Sequence, residues 1–427
     1  MQTAILSLQR QQIYSISHDL SYLKQAIQIA FSQHNYPQVS ILSAQLVKLL
    51  PQDSDSFLNF AFAELKQHHY QFAYRLYQLA LQYQPRHLAE IYDGLTELCY
   101  YLKKKEQQIH YARCALEFKK QYVAHAYIQA LPTPHAPQFN AAHRQENIIS
   151  YSLFGAEPRY CENALQNVQR AKILFPEWTC RFYVDNTVPD LIILRLKLLG
   201  AQIVLINEQQ QPISGLFWRF FVMDDPSVKR FLIRDADSLL SYREQAAVIA
   251  WIKSKRWFHT LCDAHSHTEL ILAGLWGGCT GIFKNVQQNI EHFIATHPKA
   301  QHRTLDQFYL RLCIYPSLKQ SVLLHDSQFY HPISERFPQH TRQFPDELES
   351  DFHVGKNDAT HFIHIQLDHT QPIQAITWFI LNEQGYEVCR YTQSIQMAQQ
   401  KLSFAIPSAY AAALEQKKWH LFNEIII

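Results

Sequence analysis

Glycine placement constrains this chain more than any other feature. Of its ten glycines, only Gly94 precedes residue 150. Glycine supplies the left-handed backbone that tight reversals need, so a long region almost without it has few places to turn a strand back. That region is rich in Leu, Ala, Gln and Tyr, and residues 1–130 are expected to form one helix after another. Leu131-Pro132-Thr133-Pro134-His135-Ala136-Pro137 cannot continue a helix. Its three prolines lack donors and restrict the residues before them. Residues 131–146 are therefore expected to be a Pro-rich linker.

Within the helical region Pro51 and Pro85 lie 34 residues apart, each closing an apolar helical run. Counting back from Pro85, Phe57, Phe60 and Ala61 stand where the first helix of a 34-residue repeat places a large residue and two contacts. Ala73, Tyr77 and Ala80 stand where the second helix alternates small and aromatic residues. Over roughly 20–120 the chain resembles tetratricopeptide repeats. Glu64 departs from that pattern, occupying a position usually aromatic. The resemblance implies stacked helices that bind a protein partner, an acceptor or a second copy of the chain.

Composition excludes several classes. A formal net charge of +2 is too balanced to argue for nucleic acid. The eight cysteines include no CxxC spacing, which favours free thiols in a reducing compartment. The 23 histidines are scattered without metal-ligand spacing. Met1-Gln2-Thr3-Ala4-Ile5-Leu6-Ser7 has no basic segment leading into an apolar one, so no signal peptide is expected. Leu270–Phe283, broken by four glycines, falls short of the ~18 apolar residues of a membrane span. The expected location is cytoplasmic, or peripheral at the inner face of the membrane.

After the prolines the pattern becomes α/β. Strands are expected at 148–153, 181–184, 203–206 and 231–233. Helices are expected at Arg159–Leu174 and from Pro189, a favourable first-turn residue, to Gly200. Such alternation implies a mostly parallel sheet that binds ligands beyond its C-terminal strand ends. Residues 147–345 are expected to form this domain. Short strands near 362–365, 375–380, 388–391 and 402–406 indicate a small β-rich module over 346–427.

Asp235-Ala236-Asp237 emerges from the apolar strand Phe231-Leu232-Ile233. Two carboxylates at i and i+2 supply hard oxygen ligands for a divalent cation and leave positions open for diphosphate oxygens. Ser241-Tyr242-Arg243-Glu244 matches a capping box, which gives Glu244 a structural role. Arg243 opposes the helix dipole in that first turn, as suits a cation facing an anionic ligand or one simply solvated.

A set of motifs follows in fixed order: Ile149–Gly155, Cys180–Asp185, Leu216–Phe220, Ile233–Ser238, Ser241–Glu244, Gly274–Gly277, Leu305–Gln307 and Leu324–Ser327. Over about 147–330 this order resembles bacterial GT-A-type glycosyltransferases, including polysaccharide-associated members that carry tetratricopeptide repeats.

The resemblance implies a metal-dependent transferase using Mn2+ or Mg2+. It would move a sugar from a nucleoside diphosphate, UDP favoured, to a glycan or lipid-linked glycan of the cell surface. Asp235 and Asp237 would hold the metal, completed by His325, although its neighbour Asp326 could equally be the contact and leave His325 an ordinary loop residue. Ser150, Tyr151, Ser152, Asp185, Arg219, Asp235, Arg243 and Trp276 would bind the sugar nucleotide. Asp263 or Asp306 would serve as general base in an inverting reaction. On their residues alone, Asp185 also suits a turn cap, Trp276 a core position and Arg219 a snorkelling helix position. A competing reading is a helical-repeat interaction protein with a silent α/β domain. A phosphoryl or nucleotidyl transferase is disfavoured because no GxxxxGK[ST] loop is present.

Overall fold

The computed structural model describes residues 19–298, 304–358, 361–367, 374–395 and 401–426. The N-terminal segment read for a signal peptide lies outside these. The chain divides into two compact units. One takes in the N-terminal helices to His125 together with Ala264–Leu270 and Gln328–His331. The other takes in Ala126–Asp263, Ile271–Ser327 and the chain from Pro332 onward.

The first unit is built from α1 (19–32), α2 (Tyr36–Leu49), α3 (Ser54–Lys66), α4 (Tyr70–Gln82), α5 (Leu88–Tyr101) and α6 (Lys105–Tyr122). Asn35 and Asp53 cap α2 and α3 through their side chains. The starts of α2 and α4, and of α3 and α5, repeat at the 34-residue spacing of the prolines. Ala61, Ala73 and Ala80 are fully buried between the helices. Gly94 is not a turn. It lies inside α5, where a Cβ would meet the Tyr77 ring at 2.3 Å, so its absent side chain admits that ring. Glu64 is buried and bonded to Ser40 and, at 2.6 Å, to His69 Nδ1. With those polar partners a carboxylate occupies the position where the repeat usually has an aromatic. Lys119, also buried, donates at 2.8 Å to both Asp93 Oδ2 and the Thr268 carbonyl, and lies 2.9 Å from Glu269.

The second unit holds a seven-stranded sheet of β1 (Asn147–Leu153), β2 (Thr179–Val184), β3 (Gln202–Leu205), β4 (Arg230–Ile233), β5 (Phe258–Cys262), β6 (Trp276–Cys279) and β7 (Val322–Asp326). Their order is β3-β2-β1-β4-β6-β5-β7, and β6 alone runs antiparallel. α7 (Pro158–Leu174), α8 (Asp190–Leu198) and α9 (Tyr242–Ser254) provide the crossovers. From β1 the chain winds outward to β2 and β3, whereas β4 begins the opposite half. The switch point therefore lies between β1 and β4, where α/β sheets bind ligands. α10 (Val286–Thr296) follows β6. α11 (Leu305–Tyr309) and α12 (Tyr315–Leu318) flank a π-helical segment before β7.

The proline segment is no loose tether. Ala136 N–H donates to the Lys255 carbonyl at 2.9 Å, Trp257 Nε1 to the Thr133 carbonyl at 2.9 Å, and Arg230 to the Pro137 carbonyl at 2.6 Å. Prolines lack donors, but the Ala136 N–H and the carbonyls of Thr133 and Pro137 pin the segment to the sheet domain.

β8 (His361–Gln366) pairs with β11 (Lys401–Ile406). β9 (Ala375–Leu381) lies between β10 (Glu387–Ser394) and β12 (His420–Ile426), and α13 (Ser408–Glu415) precedes β12. These C-terminal strands belong to the same compact unit as the sheet. Buried Glu162 of α7 accepts from Tyr391 at 2.7 Å and Tyr410 at 3.0 Å and pairs with Arg195. Burial pushes its pKa up, and those three partners oppose the shift. Among the described residues, no helix is long and apolar enough to cross a membrane.

Candidate functional site

Asp235 and Asp237 leave the C-terminal end of β4, beside the switch point. The loop carrying them is clamped from α7 by Asn167, a residue with no sequence signal of its own. Asn167 Nδ2 donates to the carbonyls of Ala236 (3.2 Å) and Ser238 (3.0 Å), and its Oδ1 accepts from Leu240 N–H at 3.0 Å. From the other side Asp358 N–H donates to the Asp237 carbonyl at 2.9 Å. A Cβ on Gly274 would stand 1.9 Å from Asp235 Oδ2. Gly274 thus gives the carboxylate its seat.

Arg219 occupies the centre. Its backbone is fixed by β1: Ser150 Oγ donates to the Arg219 carbonyl at 2.7 Å, and Arg219 N–H donates to Ser152 Oγ at 2.9 Å. Its buried guanidinium donates to Asp235 Oδ1 and, at 2.9 Å, to Asp306 Oδ2. Ser150 and Ser152, expected to bind nucleotide, here position Arg219. Burial raises the pKa of Asp306, and nearby Asp235 adds to the shift while Arg219 opposes it.

Arg159 was not anticipated as a site residue. Its Nη2 donates to Asp237 Oδ2 at 2.6 Å. Burial and the neighbouring Asp235 raise the Asp237 pKa against the lowering effect of this guanidinium. The available signal was the one applied to Arg243, a cation in a helix first turn, here directly after Pro158.

Other expected residues lie elsewhere in their chemistry. Arg243 is spent on Asp263, donating to Oδ2 at 2.8 Å and Oδ1 at 2.7 Å. Asp263 also accepts from Ser327 Oγ at 2.5 Å and Val354 N–H at 2.9 Å. With both oxygens so engaged it is a structural hub rather than an available base. Trp276 offers no face to a sugar: it is fully buried, edge-on to Phe231 and packed beside Phe220. Tyr151 is also buried and stacks on Phe182 at 4.7 Å. Asp185 caps its own turn, accepting from Thr187 N–H at 3.0 Å.

His325 sits on β7, three strands from β4, roughly 14 Å away at ordinary strand spacing. It is fully buried, with Nδ1 3.3 Å from His259 Nε2. Among the described residues no three His, Cys, Asp or Glu side chains converge as a metal-binding group. The arrangement does not fit a metal shell of Asp235, Asp237 and His325. Both aspartates meet guanidiniums, and the histidine lies across the sheet.

Fold and cluster define a class: an α/β protein with N-terminal helical hairpins and a carboxylate–guanidinium cluster at the sheet's switch point. No model of a known protein family matches the sequence, and no curated protein matches it. Among solved structures, similarity is found to an Arabidopsis OM64 TPR domain, at 16% identity and TM-score 0.24, covering 25% of this chain and 87% of that one. The TPR2B domain of yeast Sti1, in a pHsp70 complex, gives 14% identity and TM-score 0.23, covering 24% of this chain and 82% of that one. A mutant O-GlcNAc transferase of Thermobaculum terrenum gives 14% identity and TM-score 0.33, covering 52% of this chain and 41% of that one. These likenesses are weak, and residue roles rest on this chain's own geometry.

Proposed function

We propose that the sheet domain is a glycosyltransferase that moves a sugar from a nucleoside-diphosphate sugar, UDP favoured, to a glycan or lipid-linked glycan acceptor in surface-glycan synthesis. One observation carries this reading: Asp235, Asp237, Asp306, Arg219 and Arg159 form a single charged cluster beside the β1–β4 switch point. Guanidiniums recognise phosphate oxygens in pairs, and carboxylates can accept sugar hydroxyls or an acceptor proton. Asp306 is the better candidate base, because among the described residues it accepts only from Arg219 and Gln307 N–H, whereas Asp263 accepts from both arms of Arg243 and from Ser327 and Val354. The site would work in the cytoplasm, or against the inner face of a membrane.

Titration with UDP by calorimetry tests the reading. Micromolar binding that disappears in Asp235→Ala/Asp237→Ala is expected. Failure of every nucleoside diphosphate to bind would sink it.

A second reading concerns the helical unit alone. Its repeated 34-residue spacing and buried alanines support capture of a protein partner or of a second copy. Sedimentation of the full chain, which should show a concentration-dependent dimer if it self-associates, separates the two occupants.

A further inference from the structure

The guanidiniums at the Asp-x-Asp loop raise a question about charge. In a site of this kind the two carboxylates ordinarily recruit a divalent cation, whose two positive charges face the diphosphate. Here two positive charges are already in place. Arg219 meets Asp235 and Asp306, and Arg159 meets Asp237. A divalent ion entering between the aspartates would face each guanidinium with twice the repulsion of a unit charge.

Arg159 has capacity left over. Its bond to Asp237 uses Nη2, and its buried Nε has no acceptor among the described residues. The Nε of Arg219, whose side chain is more than nine-tenths buried, has none either. Arg159 is the more exposed of the two, its side chain 27% accessible against 6% for Arg219. Arg159 stands in the first turn of α7; that turn itself holds no acidic residue, its N-cap residue is Glu157, and no side-chain bond caps it. The positive end of a 17-residue helix therefore adds to the guanidinium. Asp237 orients the fork through Nη2 and leaves the accessible part of the guanidinium for oxygens of a ligand.

We infer that this site binds a diphosphate group through Arg159, without a divalent cation bridging Asp235 and Asp237. The inference rests on the sugar-nucleotide reading and deepens it. Asp237 acts as a positioning residue for Arg159, and Arg219 offsets part of the carboxylate charge of Asp235 and Asp306.

The probe is UDP, titrated calorimetrically into the full chain in EDTA and again in Mn2+. Affinities within about threefold of each other are expected in the two media, a difference under 1 kcal/mol. Arg159→Gln should weaken binding in EDTA about tenfold or more, as befits one charge-assisted contact. Arg159→Lys should recover part of the loss, because the charge returns without the fork. Circular dichroism checks that the variants are folded; should they fail to fold, the wild-type comparison of EDTA with Mn2+ still decides. Binding that occurs only with Mn2+, or unchanged binding by folded Arg159→Gln, overturns the inference and leaves the transferase reading standing. No binding of UDP or of any other nucleoside diphosphate in either medium overturns both.

Discussion

Arg219 and Asp306 form an ion pair at 2.9 Å with both side chains almost completely buried, and the same guanidinium also holds Asp235. Removing one partner of a buried pair leaves an uncompensated charge, at a cost of about 3–5 kcal/mol. Arg219→Met should lower unfolding stability by that order in urea titrations. Arg219→Lys should recover little, because one ammonium does not span two carboxylates as a planar fork does.

Gly274 tests the seat of Asp235 without altering any charge. A methyl there would meet Oδ2 at 1.9 Å, so the half-exposed carboxylate must turn and shift against Arg219. Gly274→Ala should keep the fold, lose about 1–3 kcal/mol of stability through overpacking, and weaken UDP binding markedly. Unchanged UDP affinity would show that the position of Asp235 is irrelevant to the ligand.

The two candidate bases separate by readout. Asp306→Asn weakens one of the two carboxylate contacts of Arg219, the Asp235 contact remaining, and should remove most sugar transfer while UDP still binds. Asp263→Asn should act first on stability, because it weakens bonds to Arg243, Ser327 and Val354 at once. Melting temperatures and transfer rates on both variants decide the assignment. Full activity in Asp306→Asn would remove it as the base.

His325 bears on pH dependence. Burial lowers its pKa from 6.5 to about 4, so the folded state keeps it neutral while the unfolded state takes up a proton below 6.5. Its contribution to stability is present above pH 6.5 and is lost as pH falls toward 4, about 3 kcal/mol in all. Buried carboxylates such as Glu162 and Asp306 have raised pKa values and run the opposite way. The informative quantity is therefore wild type minus His325→Asn, measured by urea unfolding from pH 7.5 to 4.5. That difference should shrink with acidity, and a flat difference would refute the assignment.

Much of the local structure was legible in the sequence. Helix α7 was expected over Arg159–Leu174 and spans Pro158–Leu174. The expected cap at Ser241 is present, its side chain accepting from Glu244 N–H at 3.1 Å. Glu244, expected to be structural, pairs with Arg234 in the core. The C-terminal strands lie close to their expected positions. These features depend on nearby residues, through propensity, capping and the alternation of apolar side chains.

The partners of each charge were not legible. Arg159 and Asp237 are 78 residues apart in sequence, and Arg219 and Asp306 are 87 apart. No local pattern encodes such pairings. Strand order decided the rest: with β6 and β5 between β4 and β7, His325 lies on the far side of the sheet. From sequence alone came the helical repeats, the α/β alternation and the Asp-x-Asp loop at a strand end. Only the tertiary structure showed that two arginines meet those aspartates, because charges distant in sequence come together only after the sheet has set the order of its strands.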